Sequence, residues 1–203
     1  MENYISINGQ KIGLTEEQVE KIKGSFGETA VKLAGVAAGD VVKVGSHEMI
    51  VLEHRDEGTA LIRKELLRES EEFGDNNNFA GSNVEDICND FAEELADIVG
   101  GENVILHDVD LTSDDGLKDY GVIKRRVSLL TAPMYRQFVE ILDAHKIDAW
   151  WWLATPHSTA KHENASWNKC VSPAGRIDIG GCFRRDYGVR PFCILNSNIF
   201  VSM

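Results

Sequence analysis

Four cysteines, six histidines and several paired carboxylates are the residues of this 203-residue chain with the means to do chemistry. The cysteines stand at Cys88, Cys170, Cys182 and Cys193, and no two form a C-x-x-C pair. Zinc needs closely spaced ligands, so this spacing gives no ground for a metal. The histidines are scattered, with neither H-E-x-x-H nor H-x-H, so no metal centre and no cofactor is expected. A nucleophilic thiol needs a base beside it. Cys182 has no convincing neighbouring His, and Cys193 lies in an apolar run that reads as core. No serine sits in G-x-S-x-G. Gly175-x-x-x-x-Gly180-Gly181 lacks the Lys-Ser/Thr of a phosphate loop and reads as two turns. Asp108-x-Asp110 and Asp114-Asp115-Gly116 resemble part of a calcium loop, but the distal Glu is missing. A solvated acidic loop is the better reading, and calcium stays open. No catalytic residue is assigned, and a Cys170–Cys182 bridge is left open.

Recognition chemistry is better represented. His157, Ser158, Thr159, Lys161, His162, Glu163, Asn164, Trp167 and Asn168 form a polar stretch of mixed chemistry without regular periodicity. A second stretch holds Phe183, Arg184, Arg185, Asp186 and Tyr187, with Arg176 and Asp178 ahead of it. Rigid aromatic area, guanidinium donors and adaptable amides are what binding surfaces use. The plain alternative is two solvated loops. Arg184, Arg185 and Tyr187 would supply donors and aromatic area, and His157, Lys161, His162, Asn164 and Asn168 polar contacts. A protein interface of about 800 Å² per side takes some 20–30 residues, more than these stretches hold. Multivalent display in a homo-oligomer would compensate through avidity.

The elements that must position these stretches are short. Tyr4–Ile7 alternates like a strand, Asn8-Gly9 signals a turn, and Thr15-Glu-Glu-Gln18 is a capping box opening a helix with Val19, Ile22 and Phe26 on one face. Residues 1–37 read as an appendage and 38–203 as the main domain. Val41–Val44, Glu48–Glu53 and Thr59–Arg63 read as strands. Ser82-Asn-Val-Glu85 caps a helix carrying Val84, Ile87, Phe91, Leu95 and Ile98, ended by Gly100-Gly101. Asp108–Asp119 reads as an acidic loop and Tyr120–Leu130 as a strand. Thr131-Ala-Pro133 opens a second helix. The rest is strand-rich and broken by turns, so the fold class is α+β with two main helices and several short, mostly antiparallel strands.

Trp150-Trp-Trp152 is the most specific feature. On a strand Trp150 and Trp152 share a face and Trp151 takes the other. A core anchor is the favoured reading, and an exposed sugar-stacking platform the alternative.

Composition narrows the classes. The chain is 43% hydrophobic and 27% charged, with a formal charge of −12. Such an acidic chain makes a poor nucleic-acid binder, since phosphate needs a basic surface. Residues 150–203 nevertheless carry six basic groups against three acidic ones. No apolar run of about 18 residues exists, so no membrane insertion is expected. The opening Met1-Glu-Asn-Tyr-Ile has neither a basic nor an apolar region, so no secretory signal peptide is expected and reduced thiols are the default.

Ala38-Gly-Asp-x-Val42, Thr59-Ala-Leu-Ile62, Phe73, Asn78, Ser82-Asn-Val84 and Val127-Ser-Leu-Leu-Thr131 occur in that order. Trp151-Trp-Leu-Ala-Thr-Pro156, Val171-Ser-x-x-Gly175 and Gly188-Val-Arg-Pro191 follow. Over residues 38–196 this resembles a family of uncharacterised domains of Firmicutes and their phages, marked by W-W-L-R-S-P and G-V-R-P segments. This chain has Ala154 and Thr155 where the hallmark has Arg and Ser. The family is similar to the formylglycine-generating-enzyme-like branch of the C-type lectin fold. Some proteins of that branch are variable proteins of diversity-generating retroelements, displaying a mutable binding surface. The resemblance implies a non-enzymatic receptor-recognition protein, phage- or prophage-encoded, found on the particle or in the bacterial cytoplasm before assembly. Its partner would be a protein or glycan on a bacterial surface. A formylglycine-generating-type enzyme and a structural module of a phage particle are the alternatives.

Overall fold

A computed structural model describes residues 4–7, 10–18 and 30–203. Strand β1 (Tyr4–Ile7) pairs with β2 (Gln10–Gly13). The capping box forms as its sequence requires: Thr15 N–H donates to Gln18 Oε1 at 2.9 Å and Gln18 N–H to Thr15 Oγ1 at 3.2 Å. The Asn8-Gly9 turn and the Val19, Ile22 and Phe26 stripe lie outside the described residues.

The main sheet is built from β3 (Ala30–Lys32), β4 (Val41–Val44), β5 (His47–His54), β6 (Thr59–Arg63), β7 (Val104–Ile105), β10 (Val127–Ser128), β14 (Phe192–Leu195) and β15 (Phe200–Ser202). Its order is β10-β14-β6-β5-β4-β15-β3, with β7 also on β14. These pairs are antiparallel. Because β3 pairs with β15 and Leu33 is fully buried, the sheet begins at Ala30, upstream of the expected boundary at 38. Local pattern could not reveal this, since the partner strand is the last of the chain.

Alternation sorts the central strands between two cores. Met49, Val51 and Leu61 face the layer with helix α1 (Asn83–Val99), whose Val84, Cys88, Phe91 and Leu95 fill it. Ile50, Leu52, Ala60 and Ile62 face Tyr135, Phe138 and Leu142 of the α2 (Ala132–Gln137) and α3 (Val139–Ala144) layer. Burial on both faces explains why β5 reads as a near-continuous apolar run. Ser82 caps α1 by accepting from Glu85 N–H at 3.2 Å. Gly100, at φ 88°, stops the helix in a conformation that side chains resist.

Two expected elements are corrected. The acidic segment is not all loop: β8 (His107–Asp110) pairs with β9 (Val122–Arg125), and the loop runs between them. Tyr120–Leu130 is not one strand, because Asp119 and Tyr120 turn and Arg126 separates β9 from β10. Among the described residues no helix is long and apolar enough to cross a membrane.

Candidate functional site

A second sheet carries both recognition stretches: β11 (Trp151–Pro156), β12 (Trp167–Val171) and β13 (Ile177–Gly181), all antiparallel. The second part of the glycine motif, Gly180-Gly181, thus ends a strand instead of forming a turn. Directly opposed residues share a face, so the register sorts the side chains. Trp152 and Cys170 are opposed, as are Asn168 and Gly180; these four are buried, while Asp178, opposite Cys170 at the open edge, is the exposed member of this face. Trp151 with Val171, Lys169 with Ile179, and Trp167 with Gly181 make the other face.

The tryptophans are core anchors on both faces. Trp152 is fully buried, and its Nε1–H donates to Glu71 O at 2.8 Å. Trp151 is 2% exposed and lies edge-on to Tyr135. Tyr187 stacks on Trp150 with ring centroids 5.4 Å apart and lies 4.4 Å from Trp152. At 4% exposure it cannot supply aromatic area to a ligand, so its expected contact role is corrected to packing.

The outer face is different. Beyond the part covered by α2, Trp167 is 43% exposed, Ile179 38% and Phe183 68%. Phe183 lies over Gly181, where an added Cβ would be 2.8 Å from its ring. Gly180 faces the opposite way, and there a Cβ would come within 2.3 Å of the Tyr187 ring. The two glycines should therefore separate function from stability. Gly180→Ala must displace a packed ring and is expected to cost about 2–3 kcal/mol. Gly181→Ala pushes only an exposed ring and is expected to leave the melting curve within about 0.5 kcal/mol of wild type. Thermal unfolding of the two variants checks this.

The 157–166 stretch is tied down, not freely solvated. Buried Asn77 donates through Nδ2 to Ser158 O at 2.8 Å and Trp167 O at 2.7 Å. Its backbone N–H reaches Ala165 O at 2.8 Å, and Tyr120 Oη–H donates to its Oδ1 at 2.8 Å. The Ser158 hydroxyl donates to Asp115 at 2.7 Å and Thr159 to Asp119 at 2.6 Å. His162 Nδ1 lies 3.0 Å from Asp115. Ser158, Thr159 and Asn168 are buried, so these three are corrected from ligand contacts to scaffold. Lys161, His162 and Glu163 remain exposed, with His157 and Asn164 half-buried.

Cys182 N–H donates to Ser166 O at 2.9 Å, which brings the two stretches side by side. Phe183, Arg184, Arg185 and Asp186 are exposed. Arg184 pairs with Asp186 at 2.7 Å and Arg185 with Glu72 at 3.2 Å. Arg176 and Asp178 are exposed but stand apart: Arg176 precedes the end of β13 opposite Val171, and Asp178 turns its carboxylate onto Ile179 N–H at 2.9 Å.

Four residues beside this face were not picked out from the sequence as contacts: Ile179, Lys169, Asp114 and Arg136. Lys169 Nζ is 3.1 Å from Asp114 Oδ2, and Arg136 Nη2 is 3.4 Å from Asp114 Oδ1. Period-two spacing from Trp167 would have placed Lys169 on its face. Asp114 comes from a distant loop and had no local signal. Burial works to raise the Asp114 pKa, but hydrogen bonds and charges from Lys169 and Arg136 outweigh it and leave it lowered.

The Ser113 and Ser158 hydroxyls, and then His162, hold the Asp115 carboxyl well below the usual carboxylate range. A depressed pKa gives stability that is complete above the unfolded value of 3.8 and is lost as pH falls through the folded one. Hydrogen-exchange protection of the 157–166 amides is therefore expected to show no Asp115-driven change from about pH 8 to pH 5 and to fall only in stronger acid. Asp115→Asn should leave the profile between those values unaltered, and a loss near pH 6 that this substitution abolishes would contradict the role given to Asp115.

All four cysteines are free and buried. Burial pushes Cys170, Cys182 and Cys193 up to about 12 and raises Cys88 as well. Thiol labelling at pH 8 is expected to modify none of them in the native protein and all four in denaturant; one fast native thiol would contradict this. Among the described residues no group of three or more His, Cys, Asp or Glu is placed to hold a metal ion.

These features define a mixed α+β protein of few helices and mostly antiparallel strands, with a small sheet presenting an apolar outer face. No protein-family model matches the sequence, and neither a curated protein nor a solved structure matches it.

Proposed function

We propose that this is a receptor-recognition protein that binds a protein or glycan on a bacterial surface. Its scaffold is C-type lectin-like, and it is phage- or prophage-encoded and a target of a diversity-generating retroelement. The observation that carries the reading is the exposed pair Trp167 and Ile179 on a sheet whose other side is largely packed core, with the exposed Phe183 ring lying over Gly181 at its end. Large side chains fixed on a rigid support bind with little entropic cost. Exposed Lys161, His162, Glu163, Arg184, Arg185 and Asp186 surround that face on the two tethered stretches. The segments that carry the family resemblance lie beneath: Trp151, Trp152, Val171, Val189 and Arg190 are all buried. This is the division of labour a variable surface needs, with a fixed core under replaceable tips. A formylglycine-generating-type enzyme finds no support in four buried thiols of raised pKa.

Sequencing the gene across its natural population tests the reading. Substitutions should concentrate at exposed positions between 161 and 187, and Ser158, Thr159, Asn168 and Tyr187 should stay fixed. Even scatter, or suppression at the exposed positions, would remove the variable-surface reading.

A further inference from the structure

We infer that the outer face of the three-stranded sheet takes an uncharged saccharide, stacked on Trp167 and Phe183 and hydrogen-bonded along one edge by Asp114 and Arg136. The inference deepens the binding-face reading and rests on it. Three observations lead there. The first is scale. The large exposed apolar side chains of the face are Trp167, Ile179 and Phe183, an area that suits stacking on one or two rings.

The second is the polar group beside it. Asp114 N–H donates to Pro156 O at 2.9 Å, and Pro156 pairs with Asn168, the neighbour of Trp167. Lys169, two residues from Trp167 and opposite Ile179, fixes one Asp114 oxygen, and Arg136 approaches the other. The Lys169 side chain is only 10% exposed, whereas Asp114 is 30% and Arg136 56%, so the latter two are within reach of a ligand. The trio carries one net positive charge, but the Asp114 carboxylate engages both cations. A ligand anion would compete with Asp114 for its partners, and a cation with Arg136. A hydroxyl accepts from the guanidinium and donates to the carboxylate at once. A pyranose combines a C–H face for the aromatic rings with an edge of such hydroxyls.

The third concerns the alternative occupant. An extended peptide would be expected to add to the open side of β13. There Ile179 N–H is already taken by Asp178, a side-chain block on strand addition.

Pull-down of the protein with isolated bacterial cell envelopes tests the inference. Envelopes are left untreated, oxidised with periodate to cleave vicinal diols, or digested with protease. Periodate is expected to abolish binding. Trp167→Ala, Asp114→Asn and Arg136→Met are each expected to weaken binding to untreated envelopes about tenfold, with melting temperatures checked alongside. Binding that survives periodate overturns the saccharide assignment; if Trp167→Ala still removes that binding, the binding face itself stands and its partner is a protein. An absence of binding to every envelope tried overturns both. If Asp114→Asn and Arg136→Met bind normally while Trp167→Ala does not, the edge contacts are wrong and the assignment falls with them.

Discussion

Asn77→Ala is expected to destabilise the protein by about 3 kcal/mol and to release the 157–166 stretch. Asn77 is fully buried and serves partners 81 and 90 residues away through one amide group. Removing it leaves Ser158 O without its side-chain donor and the Tyr120 hydroxyl without its acceptor, while Trp167 O keeps only the His157 N–H at 3.1 Å. Each buried polar group stranded this way costs about 1–3 kcal/mol, and the sum is reduced by water entering the partly open side. Urea unfolding checks the size: the midpoint should fall with an unchanged slope. A loss below about 1 kcal/mol would show that the stretch is held by its Asp115 and Asp119 contacts instead. Asn77→Asp is the sharper variant, since it keeps the shape, removes both donors and adds a charge.

Arg190→Met is expected to cost about 3 kcal/mol, for a different reason. Arg190 is 1% exposed and forms no ion pair with a carboxylate among the described residues. Its guanidinium serves backbone instead: Nε–H donates to Arg63 O at 2.8 Å, and Nη2 to Lys64 O at 2.9 Å and His145 O at 3.3 Å. It also lies 5.2 Å from the centre of the Trp151 ring. One side chain thus joins the end of β6, the C-terminus of α3 and the strand that anchors the second sheet. Burial lowers its pKa to about 10, with Glu65 pulling the other way, so it stays charged at neutral pH. Methionine fills much of the volume but supplies none of the donors. Calorimetric or urea unfolding checks it, and a cost under about 1 kcal/mol would mean that packing, not the carbonyl contacts, gives Arg190 its place.

Much of the scaffold was legible because its signals are local. Period-two alternation set the Trp150–Trp152 faces, and Thr15, Ser82 and Thr131 marked helix starts that the structure has. What was not legible comes from distant partners. The edge strand Ala30–Lys32 pairs with the last strand. Ser158, Thr159 and Asn168 looked like surface because they are polar, yet Asp115, Asp119 and the Leu153 carbonyl, all distant in sequence, satisfy most of their polar groups. Tyr187 looked like a binding aromatic, but Gly180 leaves the space into which it packs. At the site itself, Trp167 and Phe183 were named from composition alone. Ile179 and Lys169 needed the register, and Asp114, Arg136 and Asn77 needed the tertiary fold.

The central claim is that the Trp167 face binds. The most direct measurement compares attachment of wild type and a Trp167→Ala/Phe183→Ala double variant to intact bacteria at equal concentrations. Both side chains are substantially exposed, so the double variant should melt within about 1 kcal/mol of wild type. Its attachment should fall by about thirtyfold or more. A double variant that attaches as well as wild type would contradict the account and move the search to another surface.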